Sequence, residues 1–181
     1  MTETASSVLG PWSSFYIMTG SAAAALTGLM FVVITLVTGA ERLSRSQDGI
    51  STFSTPTVVH FSAALLVSVI LSAPWRTLVP PAWLLGLVGL YGIVYILRVV
   101  SRARRLTGTY NPDLEDWASY TILPFVAYGA ILAGAIMLSR IPIDALFALA
   151  GGVALLIFIG IHNAWDIVTF IVIRGPSEPP S

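Results

Sequence analysis

The sequence predicts an all-α polytopic membrane protein, a bundle of five transmembrane helices forming a single domain over residues 1–181, and three observations carry that reading. Hydrophobic residues make up 56% of the chain and charged residues 10%, against about 25% charged residues in a soluble domain. Mean hydropathy is +0.86. The apolar residues also gather into long runs separated by short polar stretches, and a run of roughly 20 such residues suffices to cross about 30 Å of hydrocarbon as a helix.

Taken in order, the predicted helices run approximately from Phe15 to Thr38, Pro56 to Ala73, Ala82 to Val99, Ser119 to Leu138, and Ile143 to Ile173. Turn chemistry breaks them apart: ERLSRSQDG, APWRTLVPP, SRARRLTGTYNPD and SRIP lie between successive runs. The fourth helix has a readable start. Asn111 is placed as its N-cap and Pro112 in its first turn, with Asp113, Glu115 and Asp116 on the positive pole of the helix dipole. Pro124 predicts a kink inside that helix. The fifth helix is long for a span, about 46 Å at 1.5 Å per residue, so its last turns are expected to leave the hydrocarbon and meet other protein surface.

An odd number of helices puts the two termini on opposite sides. Arg42, Arg45, Arg98, Arg102, Arg104, Arg105 and Arg174 fall on the C-terminal side, and only Arg76 and Arg140 on the N-terminal side. The positive-inside rule then predicts a cytoplasmic C-terminus and an external N-terminus. Trp12, Trp75 and Trp83 at one interface and Trp117 and Trp165 near the other agree with it. The N-terminal residues MTETASSVLGPW carry no Lys or Arg, so a cleaved signal peptide is not expected.

Charge and cysteine content exclude several classes. Formal net charge is zero, so no global basic field attracts nucleic acid. The absence of cysteine excludes disulfides, thiolate metal sites and iron–sulfur clusters. The expected partners are membrane lipids, further copies of the chain in a homo-oligomer, and other membrane proteins.

Polar residues converge toward the C-terminal side. His60 in the second helix, Tyr95 and Arg98 at the end of the third, Tyr120 at the start of the fourth, and His162, Asn163 and Asp166 in IHNAWD of the fifth are predicted to share one slab. Ionisable residues inside a membrane are costly and mark sites by default. A structural role, with interfacial solvation or hydrogen-bonded packing, is the competing account. The site readings are a cytoplasm-facing vestibule for a proton, ion or small polar solute; a haem b held by His60 and His162; and a two-His-one-carboxylate metal site from His60, His162 and Asp166. Arg98 is expected to pair with Asp166 and so tie the third helix to the fifth. Polar residues of the opposite half are sparse, mainly Thr19, Ser68, Ser72, Tyr91 and Tyr128.

Small residues mark close helix approach. Gly20, Ala24 and Gly28 are spaced by four in the first helix, and Gly152 and Gly160 lie in the fifth. The opening FYIMTGSAAAALTGLMFVVITL, with His60 in the second helix and IHNAWD in the last, resembles a family of small uncharacterised bacterial multi-span membrane proteins. The resemblance implies a bacterial inner membrane and intact helices, and carries no activity with it. The expected function is a small channel or transporter-like protein with a polar cytoplasmic vestibule. The alternatives are a non-catalytic accessory or scaffold protein and a haem b-binding electron-transfer protein. No catalytic constellation is legible, and an enzyme is not the expectation.

Overall fold

The computed structural model describes residues 4–41, 50–106 and 118–174, and among them every regular element is helical. A lead-in of one α-helical turn (Ala5–Leu9) and one 3₁₀ turn (Gly10–Trp12) enters α1 (Ser13–Glu41). Next come α2 (Ile50–Ser72), α3 (Val79–Leu106), α4 (Leu123–Met137) behind a π-helical turn (Ala118–Ile122), and α5 (Pro142–Arg174). The proposed cap Asn111–Pro112 and Trp117 lie outside the described residues.

Three stretches, Ala5–Thr35, Val79–Ser101 and Pro142–Asp166, are long and apolar enough to cross a membrane. Pro56–Ser72 and Leu123–Met137 are shorter apolar helices. Large apolar side chains such as Ile17, Phe31, Val69, Leu87, Phe125 and Phe158 point outward on all five helices. A contiguous apolar exterior of this kind suits lipid and not water.

The helices pack in the spatial order α1, α2, α5, α4, α3. Half of the apolar window of α5 is buried, against 17% for α1 and 22% for α3, so α5 is the central helix and α1 and α3 form the edges. Its inward stripe, Leu146, Leu149, Val153, Leu156 and Ile159, follows the three-and-four spacing of one helix face. Glycines let the neighbours close in. A methyl group on Gly152 would come within 2.9 Å of the Ala127 carbonyl of α4, and one on Gly160 would strike the Phe61 ring of α2.

The seam between α3 and α4 rests on glycines too. Gly86, Gly89 and Gly92 recur every three residues on the α3 face that meets Ala135, Leu132 and Tyr128. At the N-terminal end, the Tyr16 hydroxyl donates to the Leu146 carbonyl at 3.4 Å, and Thr19 and Ser68 share a buried hydroxyl contact of 3.1 Å. Trp12 packs edge-on to Phe147 with ring centroids 4.8 Å apart, and Trp75 Nε1 donates to the Ile70 carbonyl at 2.6 Å.

Several expectations need correction. The Gly20–Ala24–Gly28 line is not the packed face of α1: Gly20 meets Ser68, but Ala24 and Gly28 are exposed. The buried face runs Tyr16, Thr19, Ala23 and Met30, because a strict spacing of four turns about 40° off a helix face at each step. α2 begins at Ile50, six residues before the predicted start, and Pro56 sits inside it. The expected irregularity at Pro124 takes the form of the π-helical turn just before it, where the missing N–H of proline leaves the helix one bond short.

Candidate functional site

The buried face of α2 carries Thr57, His60, Phe61, Ala64, Val67 and Ser68, so its regular apolar stripe ends in polar residues toward the C-terminal end of the bundle. His60 is 1% exposed, and its Nδ1 lies 3.0 Å from the hydroxyl of Tyr128, itself 1% exposed. The two rings tilt by 50° with centroids 5.7 Å apart. Tyr128 lies on α4 with its ring over Gly92 of α3, where any Cβ would collide with it. The pair therefore links α2 to α4 and, through glycine, to α3.

Because α2 starts at Ile50, His60 stands ten residues into its helix, about 15 Å along the axis. Tyr128 stands ten residues from Ala118, the first described residue of its own helical segment. Their contact puts the two side chains at one level of the bundle.

Asn163 prolongs the buried stripe of α5, seven residues beyond Leu156, and is fully buried. Neither its carboxamide oxygen nor its nitrogen has a hydrogen-bond partner. The hydroxyl of Thr57, also fully buried, has none either. α2 and α5 run antiparallel, with Phe61 seated on Gly160. Thr57 is four residues before that contact and Asn163 three residues after it, so both lie one turn toward the C-terminal end. Their helix faces stay within about 60° of the contact line. Three unpartnered polar atoms thus gather in an apolar interior, where each such group costs about 1–3 kcal/mol.

The remaining predicted residues are distributed otherwise. His162, about 100° around α5 from Asn163, pairs within its own helix: its Nε2 is 3.4 Å from Asp166, and the two side chains are 37% and 44% exposed. Arg98 is exposed on α3, which packs mainly on α4, and Asp166 pairs with His162, so the expected Arg98–Asp166 pair is not formed. Tyr95 is half-buried one turn from Tyr91, with centroids 6.4 Å apart. The side chain of Tyr120 lies outside the described residues.

Two ligand readings gain no support from this geometry. Among the described residues no group of three His, Asp or Glu side chains converges, so His60, His162 and Asp166 do not form a metal set. A haem b bridging the histidines requires both rings to face one cleft, whereas His60 is turned to Tyr128 and His162 to Asp166. Sequence reasoning assigns Tyr128 to the opposite half and passes over Thr57. The available signal was positional: Thr57, Tyr128 and Asn163 each occupy the inward stripe of an otherwise apolar helix. Comparison with protein-family models, curated proteins and solved structures found no match.

Proposed function

We propose that the chain is a five-span membrane protein of the bacterial inner membrane, N-terminus outside, acting as a small channel or transporter-like protein. Its site for a small polar solute is built from Thr57, His60, Tyr128 and Asn163, buried toward the C-terminal end of the bundle. The observation that carries the reading is the Asn163 carboxamide, fully buried with donor and acceptor both unpartnered. A protein interior satisfies more than nine in ten of its polar groups, and an exception of this kind supports a polar guest.

The five-span part draws on the lengths of the two shorter helices. α2 has 23 residues, and α4 with its π-helical turn extends from Ala118 to Met137, close to the roughly 20 residues that a crossing requires. The seven-to-two arginine asymmetry supports the orientation, and the sequence resemblance supports a bacterial inner membrane.

The test is solute permeability in proteoliposomes. Stopped-flow light scattering with glycerol and with urea, and dye-detected proton flux under a valinomycin-set potential, cover neutral solutes and protons. One of these fluxes should exceed that of protein-free vesicles and fall to their level in Asn163→Leu. Fluxes matching protein-free vesicles for every probe would refute the transport reading. An accessory role is the second reading, favoured by one observation: Ala24 and Gly28 of the edge helix α1 face outward, with nothing within 4 Å of where a Gly28 methyl would stand. A second helix, from another copy or a partner protein, could approach closely there.

A further inference from the structure

At the N-terminal end of the bundle two cavities adjoin. The first is an outward-facing groove of about 390 Å³ between α3 and α4, floored by Gly86 and Ala135 and walled by Trp83, Leu87, Leu90 and Ile136. The second lies above it, between the turn after α2 and the lead-in, and is lined by Arg76, Thr77, Ser139 and Thr4. Val79 and Ser139 line both, so the apolar groove runs directly into the polar cavity. Among the described lining residues Arg76 is the one charged group, and no acid balances it.

The dimensions define an occupant. From Val79 to Leu90 the groove follows α3 for about 16 Å, roughly half of a 30 Å hydrocarbon core and therefore the depth of one leaflet. Its wall belongs to a helix apolar enough to cross a membrane, and Trp83, 74% exposed, stands where an interfacial tryptophan sits. A guanidinium at the mouth, with no acid among the described lining residues and the hydroxyl residues Thr77 and Ser139 beside it, suits a phosphate oxygen cluster. We propose that this is a binding site for an anionic phospholipid of the leaflet at the N-terminal end. One acyl chain lies in the groove, and the headgroup phosphate pairs with Arg76.

The site stands apart from the buried polar residues and does not depend on the transport reading. One arginine beside an anionic lipid surface contributes about 1 kcal/mol, which corresponds to about a five-fold preference for an anionic over a zwitterionic headgroup. Native mass spectrometry of the purified full chain with equal amounts of dioleoylphosphatidylglycerol and dioleoylphosphatidylcholine reads that ratio directly. The wild type should retain the anionic lipid about five-fold over the zwitterionic one, and Arg76→Gln should bring the two to parity. Gly86→Val, which fills the floor of the groove, should lower retention of both. Phosphatidylglycerol with brominated chains should quench a fluorescence component that is lost in Trp83→Phe, a readout that holds even if Gly86→Val fails to fold. Glycerol phosphate without chains should not compete. Equal retention of both lipids by the wild type, a preference unchanged in Arg76→Gln, or competition by glycerol phosphate alone would each overturn the proposal.

Discussion

The Nδ1 of His60 and the hydroxyl of Tyr128 meet at 3.0 Å between α2 and α4, with both side chains sealed from the surface. Either group can donate, according to the histidine tautomer. Removing one partner leaves the other buried and unpaired, so Tyr128→Phe should destabilise the bundle by about 1–3 kcal/mol in reversible detergent unfolding. Interhelical hydrogen bonds in membrane proteins couple by about 0.6 kcal/mol on average. A double-mutant cycle with His60→Phe should therefore show coupling of that order. Strict additivity would mean that the contact contributes nothing.

Gly92→Ala tests how closely α3 approaches α4. The added methyl meets the Tyr128 ring, which cannot yield without moving its hydroxyl from His60. A loss of about 1–3 kcal/mol is expected, the cost of overpacking. Gly151→Ala, with nothing within 4 Å of the new methyl, should be neutral or stabilising by up to about 1 kcal/mol. Equal effects from the two alanines would contradict the packing.

The orphaned polar atoms make an unusual stability prediction. Asn163→Leu and Thr57→Val each replace an unpartnered buried group with an apolar one of similar size, and each should raise the unfolding free energy by about 1–3 kcal/mol. A gain in stability paired with lost solute flux is the signature of a site that sacrifices stability for function. Marked destabilisation by Asn163→Leu would show that its carboxamide is bonded in the native protein.

Arg98 and Asp166 should be energetically independent. Asp166 has its histidine one turn away on a half-exposed surface, and an exposed pair of that spacing contributes about 0.3–0.5 kcal/mol. Thermal unfolding of Arg98→Ala, Asp166→Ala and the double mutant should give small, additive shifts. Coupling above about 1 kcal/mol would restore the helix-bridging ion pair.

The arginine distribution makes a topological prediction. A reporter active only outside the cytoplasm should be silent when fused after Ser181 and active when inserted beside Arg140. The reverse pattern would place the polar site toward the external face.

How much of this was legible differs from residue to residue. All five apolar helices could be read from hydropathy alone, because apolar length is a local property that needs no knowledge of neighbours. Helix ends were less legible. α2 starts at Ile50 and α3 continues to Leu106, since helix geometry extends into polar sequence once the apolar part is anchored. The level that His60 shares with Tyr128 was not legible at all, because it depends on how α2 and α4 are set against one another.

Within IHNAWD the sequence marks His162, Asn163 and Asp166 as polar residues in an apolar helix, and residue type alone favours the two that ionise. Tertiary structure reversed the emphasis. The rotation of α5 against α2 and α4 turns Asn163 inward and leaves His162 and Asp166 on a half-exposed flank, paired with one another. Sequence by itself determined the composition, the helices and which polar residues had to be accommodated, since these depend on transfer free energies and on a fixed rise per residue. Only the packing order α1, α2, α5, α4, α3 decided which of them meet, because a hydrogen bond between helices depends on the neighbour, the facing angle and the depth, and none of these is a local property of the chain.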